Sequence, residues 1–284
     1  MTNRACLAGV ALGDGLPTAV MGALNVSPES FHRGSVATSG DWLLRMAEAM
    51  TKGGAALVDV GAMSTAPYLS AAITESQEAE RLSWAIDLLA TRIDVPISAD
   101  TSRSAPARAA LEAGARVVND VTGLTGDPLM ADLVSRAGAC VILMASERAV
   151  ARSADAIGTV AALLEESLGL ARTAGIDPSV IVVDPGIGFF RRQMAAWHAW
   201  DCEVLSGLAG LRRLGRPICV GVSRKSFIGA VAGVEDPAGR LPGSLAAAAA
   251  AVLRGAHLIR THDVEETMQA VRVAEAIRHA PERT

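Results

Sequence analysis

Val180-Ile181-Val182-Val183-Asp184-Pro185-Gly186-Ile187-Gly188-Phe189 runs four β-branched apolar residues into a carboxylate before the chain turns on Pro and Gly. A continuous Val/Ile run suits a strand buried on both faces, as in a parallel sheet. Such a strand holds Asp184 rigidly at its end, and Gly186 and Gly188 let the backbone pass close to a ligand. Taken alone, the Asp reads as a turn or helix cap. Repetition changes that reading, because other strand-like runs also end in polar residues.

Those runs are 19–26 with Asn25, 57–60 with Asp59, 95–100 ending in Asp100, and 117–120 ending in Asn119-Asp120. They continue at 140–144, at 217–222 leading into Ser223-Arg224-Lys225-Ser226, and at 256–260 ending in Arg260. Helical spacing fills the intervals 41–52, 75–92, 103–113, 128–137, 154–174, about 193–214, 244–253 and about 264–279. Gly53, Gly114, Gly138 and Gly175 stand where helices stop. Alternating strands and helices predict a parallel sheet. Eight such units without a linker-like break predict a single domain over 1–284, an α/β (β/α)8 TIM barrel. A doubly wound open sheet is the alternative, but no GxGxxG turn follows the first strand.

Composition narrows the function. Hydrophobic residues make up 50% and charged ones 20%, enough for a large core and unlike a disordered chain. A net charge of −4 and only 3% aromatics argue against nucleic-acid partners. Cys6, Cys140, Cys202 and Cys219 are scattered without CxxC spacing and read as reduced and structural. No apolar stretch approaches the roughly 20 residues needed to span a bilayer. Gly13-Asp14-Gly15 interrupts the N-terminal apolar run and no good cleavage site follows, so no membrane association and a cytoplasmic location are expected.

A barrel gathers all its strand C-termini at one face. That face would collect Asn25, Asp59, Ser64, Thr65, Asp100, Asn119, Asp120, Asp184, Ser223, Lys225, Arg260 and His262. Asp100, Asn119 and Asp184 in a walled pocket suit a flat heterocycle with several N–H donors and ring acceptors. Arg260, His262 and Lys225, with Asn25 beside them, suit a phosphate or diphosphate. Asp59 and Asp120 are expected to tie down neighbouring loops. His198 and His279 read as helix-surface residues, His257 as part of a strand and His32 as a loop residue, none at metal spacing.

These residues resemble the dihydropteroate synthase family of pterin-binding barrels from about residue 20 to about 264. Met21-Gly22-Ala23-Leu24-Asn25-Val26-Ser27-Pro28-Glu29-Ser30-Phe31 is similar to the family's first-loop signature. Ser98-Ala99-Asp100-Thr101, Val118-Asn119-Asp120-Val121-Thr122-Gly123, the Asp184–Phe189 stretch, Ser223-Arg224-Lys225-Ser226-Phe227-Ile228-Gly229 and Arg260-Thr261-His262-Asp263-Val264 follow in order. The resemblance implies a transfer in which an arylamine displaces diphosphate from a dihydropterin methylene. It implies pterin on Asp100, Asn119 and Asp184 beside Lys225, with Phe189 bordering the site. Diphosphate would lie on Asn25, Arg260 and His262 with Mg2+, for which Asn25 is the one protein ligand implied. Asp100, Lys225, Arg260 and His262 would be the catalytic set. Ser226, Ser64 and Thr65 would border the arylamine, and a homodimer is the expected assembly.

The chain departs from the family where the second substrate would bind. Met63 and Ala66 stand where Glu and Arg are usual, His32-Arg33 replaces Ser-Asp, and Ala145 replaces a common His. Phe190 and Arg191 stand where Gly and Lys are typical. Ordinary synthesis with 4-aminobenzoate remains the leading expectation, with Arg33, Arg191 or Arg192 supplying the anion-binding cation that Ala66 cannot. The alternatives are a phosphate-tailed arylamine, such as ribofuranosyl-aminobenzene phosphate in methanopterin-type cofactor synthesis, or a non-catalytic or methyl-transferring pterin binder.

Overall fold

Apolar runs too short for helices pair into a sheet, and the amphipathic runs between them cover it. The computed structural model describes residues 3–26, 36–62, 73–147, 155–191 and 197–280. An antiparallel hairpin comes first, β1 (Arg4–Leu7) and β2 (Val10–Gly13). The barrel strands follow: β3 (Ala19–Asn25), β4 (Leu57–Gly61), β5 (Ile97–Asp100), β6 (Val117–Asp120), β7 (Cys140–Met144), β8 (Ile181–Asp184), β9 (Cys219–Gly221) and β10 (Leu258–Thr261). They form one parallel eight-stranded sheet in the order β8-β7-β6-β5-β4-β3-β10-β9. A bridge between Val183 and Ile218, with the Val183 N–H donating to Pro217 O at 3.0 Å, joins the two ends and closes the barrel.

The outer ring comprises α1 (Val36–Lys52), α2 (Glu75–Ala90), α3 (Ser104–Glu112), α4 (Met130–Ala137), α5 (Ala156–Thr173), α6 (Trp197–Ser206), α7 (Ser226–Ala232), α8 (Leu241–Leu253) and α9 (Val264–Arg278). Local signals set several helix starts. Thr74 and Gln77 form a reciprocal capping box on α2, and Asp155 caps α5. Leu43, Leu82, Ile86, Leu89, Leu164 and Val252 pack on the outward-facing Val20, Val58, Val60, Val183, Val220 and Ile259.

Successive side chains on a strand alternate between faces, and that parity builds the interior. Met21, Leu57, Val117, Ile142, Val182, Cys219 and Leu258 form one inner cluster at the strand starts. Leu7 and Leu12 of the hairpin join it, both wholly buried, and plug the N-terminal end. Two residues further along each strand, the same inward face carries Ala23, Asp59, Asn119, Met144, Asp184, Gly221 and Arg260.

The expected strands and helices are present with end shifts of a few residues. The hairpin and α7 carry no clear pattern in the sequence. The hairpin turns on Ala8 and Gly9, both at positive φ, and an Ala in that position gives no turn signal. At Gly13 (φ +130°) any side chain would run into the Asn3 carbonyl, so this glycine is required to bring the hairpin ends together. The helical run expected over 193–214 is α6 followed, after Gly207, by a 3-10 segment from Leu208 to Leu214.

Candidate active site

The barrel floor at the C-terminal face is a charged cluster drawn from four strands. Arg260 Nε donates to Asp59 Oδ2 at 2.6 Å and its Nη2 to Asp100 Oδ2 at 2.9 Å. Asn119 Nδ2 donates to the same Asp59 oxygen at 3.0 Å. One guanidinium thus serves two carboxylates away from water, and it cannot fully neutralise both. Burial pushes the Asp100 carboxyl up to about 7, with Arg260 opposing and Asp59 adding to the rise. Burial disfavours the Arg260 cation, but Asp59 and Asp100 outweigh it and raise its pKa. Among the described residues, Asp59 Oδ1, Asp100 Oδ1 and Ser98 Oγ are buried without a hydrogen-bond partner. Orphaned acceptors at a pocket floor are what a ligand rich in N–H donors would satisfy.

Next to this cluster, Asp184 accepts from the Gly186 N–H at 2.7 Å. Burial raises its pKa and the nearby Lys225 lowers it. The Lys225 ammonium donates to the Ile187 carbonyl and lies 5.0 Å from the Phe189 ring centroid. Burial brings its pKa down to about 8, with Asp184 opposing and Arg260 reinforcing the fall.

The rim is set by the turn after β9. Arg224, a non-glycine at φ +56°, is held by a two-point pair with Asp263 at 2.9 and 2.5 Å and by Ser244 Oγ on its own N–H. This bent turn places Ser223 Oγ 3.0 Å from His262 Nδ1, while Asn25 Nδ2 reaches His262 Nε2 at 3.5 Å. The outer edge of the imidazole meets solvent, yet desolvation by the wall and then Arg260 lower its pKa. The ring is therefore neutral at pH 7 and acts as a hydrogen-bonding group.

Asp100, Asn119, Asp184, Lys225, Phe189, Arg260, His262 and Asn25 are all gathered at this one mouth. Ser226 opens α7 beside Lys225, where its hydroxyl accepts from Arg191 Nη2 at 2.7 Å. Ser64, Thr65, Met63 and Ala66, like Arg33 and Arg192, lie outside the described residues. Two expectations change. Asp120 does tie down its loop, accepting from Thr122 N, Thr122 Oγ1 and Leu124 N. Asp59 does not, because parity with Leu57 turns it inward onto Arg260. Arg260, expected with His262, Lys225 and Asn25 as a phosphate-binding group, instead bonds the two floor carboxylates, which draw its guanidinium inward.

Other supports give no clear sequence signal. Glu78, 1% exposed, accepts from Thr101 at 2.6 Å and pairs with Arg103 at 3.1 Å, bracing the turn after Asp100. Asp201 on α6 accepts from the Gly188 N–H at 2.8 Å. Both helices carry further acids, Glu75, Glu80 and Asp87 on α2 and Glu203 on α6, so nothing in the sequence singles out Glu78 or Asp201.

Residues 21–262 match the family described as "Pterin binding enzyme". The dihydropteroate synthase of Synechocystis sp. is 37% identical over 269 residues, covering 93% of this chain and 91% of that protein. The dihydropteroate synthase of Mycobacterium leprae is 38% identical, over 93% of this chain and 95% of its own length. A structure of Xanthomonas albilineans dihydropteroate synthase with 4-aminobenzoic acid superposes with a TM-score of 0.87 at 34% identity, covering 99% of this chain and 100% of that one. A second structure of that protein, in complex with 7,8-dihydropteroate, gives 0.83 at 34% identity, covering 98% and 100%.

Proposed function

The chain belongs to the dihydropteroate synthase family of pterin-binding enzymes, and we propose that its floor and rim divide the reaction between them. The reaction joins a dihydropterin-CH2-diphosphate to 4-aminobenzoate, forming a C–N bond and releasing diphosphate, a step of folate biosynthesis. The observation that carries the residue-level reading is the Asp59–Arg260–Asp100 bridge, with Asn119 on it and Asp184–Lys225 alongside.

The pterin's N–H groups pair with Asp100, Asn119 and Asp184, and they give the buried, unpartnered Asp100 Oδ1 the donor it otherwise lacks. Asp100 takes that role through its free Oδ1 while Oδ2 stays on Arg260, leaving the remaining N–H groups of the guanidinium for the diphosphate. Lys225, held beside Asp184, lends positive charge to the same side. As the methylene C–O bond breaks, negative charge grows on diphosphate and positive charge on the methylene. Arg260 and Lys225 stabilise the first and ionised Asp100 the second. The amine attacks through its lone pair and loses its proton to solvent, so orientation matters more than a strong base. Neutral His262, with Asn25 and Ser223, supplies hydrogen bonds to the departing oxygens.

Magnesium fits this arrangement through the diphosphate more than through the protein. Among the described residues no cluster of His, Cys, Asp and Glu forms a cage, whereas Asn25 at the rim offers one amide oxygen. Bound there, Mg2+ would neutralise charge on the leaving diphosphate. A homodimer is consistent with the exposed alanine face of α8, Ala246 and Ala250 beside Leu253. Among the described residues no helix is long and apolar enough to cross a membrane, which supports a cytoplasmic reading. The continuous sheet from β3 to β10 supports one domain over 1–284.

The test is direct. Purified protein with dihydropterin diphosphate, Mg2+ and a panel of arylamines should liberate diphosphate and yield the pteroate. Failure with every amine would sink the catalytic reading.

A further inference from the structure

Asp201 has no task in the reaction as described, yet it is wholly buried behind the turn that follows β8. It comes from α6, and its Oδ1 accepts from the Gly188 N–H at 2.8 Å. The adjoining Trp200 sets its ring 5.3 Å from that of Phe190, so two neighbouring residues of α6 grip the turn. Gly188, at φ +86°, leaves its other side bare, and a Cβ built there would lie 3.0 Å from Lys225 Cδ. The Lys225 ammonium covers that side and donates to the Ile187 carbonyl.

The Ile187 carbonyl and the Gly188 N–H belong to one peptide group. A trans peptide is planar and carries these two groups on opposite sides. Asp201 therefore holds one end of the peptide dipole and Lys225 the other, an anion on the N–H and a cation on the oxygen. Each charge-assisted bond polarises the peptide in the direction that strengthens its counterpart. The charged groups facing Lys225 are Asp184 on β8, Arg260 on β10, Asp201 on α6 and Arg191 on the turn, with neutral His262 near them. Burial brings the lysine's pKa down to about 8; Asp184 and Asp201 hold it up, while Arg260 and Arg191 push it down. Arg191 is also the second partner of Asp201, its Nη1 lying 3.3 Å from Oδ2.

We propose that Asp201 is a positioning residue that acts through the Ile187–Gly188 peptide to anchor Lys225 beside the pterin as a cation. This assignment rests on the transfer reaction described above. The bridge gives the lysine an anion for which the substrate does not compete. When pterin N–H groups occupy Asp184, the partner behind the peptide stays in place. A purely structural Asp201 would fix α6 to the turn and leave the lysine's titration untouched.

Lysine titration on the full chain separates the two roles. The sequence has two lysines, Lys52 and Lys225, so NMR of isotope-labelled lysine follows each, with Lys52, exposed on α1, as the internal reference. Asp201→Asn keeps an acceptor for the Gly188 N–H and removes the charge. It should move the Lys225 midpoint about one pH unit lower and leave Lys52 where it is. The alkaline limb of kcat/KM for the pterin substrate should move down with it. Arg191→Gln should move the midpoint the opposite way, since a cation facing Lys225 is lost. A Lys225 midpoint that is unmoved in Asp201→Asn, or that moves the same way in both variants, would overturn the proposal. If Asp201→Asn does not accumulate folded, the wild-type Gly188 amide resonance decides. It should titrate with the Lys225 midpoint, and a flat response across that range overturns the bridge. Wild type that releases no diphosphate overturns the underlying reaction and the proposal with it, whereas an unmoved Lys225 in an active enzyme overturns the proposal alone.

Discussion

Arg260 and Asp100 meet at 2.9 Å across 160 residues of chain, and the same guanidinium holds Asp59 at 2.6 Å. Removing the cation would strand two buried carboxylates. Arg260→Leu is therefore expected to destabilise the fold by about 3–5 kcal/mol, the usual cost of breaking a buried ion pair from one side. Urea denaturation near pH 8 would register it, and adding Asp100→Asn should recover part of the loss. An unchanged midpoint in the single variant would mean the cluster holds no such charge.

The pH profile should carry two limbs. Asp100 must ionise to accept from the pterin, and burial has moved its pKa up to about 7. Lys225 must stay charged, and burial has moved its pKa down to about 8. Accordingly kcat/KM for the pterin substrate should rise through the first value and fall above the second. Asp100→Asn should flatten the acid limb. For stability the sign is opposite. The folded state binds the Asp100 proton more tightly than the unfolded chain, so this group favours folding at low pH. That contribution is lost as pH climbs from the ordinary carboxylate range to about 7.

Asp184→Asn replaces an acceptor with a mixed donor and acceptor at the floor. Pterin affinity should fall by about 1–3 kcal/mol, the cost of leaving a buried donor unpaired. Isothermal calorimetry with a dihydropterin lacking diphosphate reads this without interference from the leaving group. Equal affinity in wild type and variant would place the ring elsewhere.

Chelation should stop diphosphate release, and Asn25→Ala should raise the Mg2+ concentration for half-maximal rate several-fold. Binding of the diphosphate-free pterin should not change. A variant with unaltered Mg2+ dependence would remove Asn25 from the metal's surroundings.

The barrel is legible in the sequence because its strands are short, mostly apolar runs and several of its helices end on glycine. The converging set follows from one fact, that parallel strands expose their C-termini together. Asp59 reads as a loop anchor only if strand parity is ignored, since Leu57, Asp59 and Gly61 share a face at period two. Arg33, Arg191 and Arg192 are equal candidates in the sequence for the cation that Ala66 does not provide. Of the three only Arg191 is among the described residues, and its stacking on Trp197 and bond to Ser226 both depend on the folded chain. Glu78 and Asp201 acquire partners from elements distant in sequence, so nothing local announces them. The hairpin is silent because its turn uses an alanine in a conformation that glycine or asparagine normally adopts.

Leu7 and Leu12, driven into the strand starts, turn the barrel into a cul-de-sac. Traffic can pass through one doorway only, so whatever settles deepest must arrive first, and a later arrival becomes its stopper. The bicyclic ring should therefore be trapped until the outer amine has reacted or backed out, giving an obligatory queue in the kinetics.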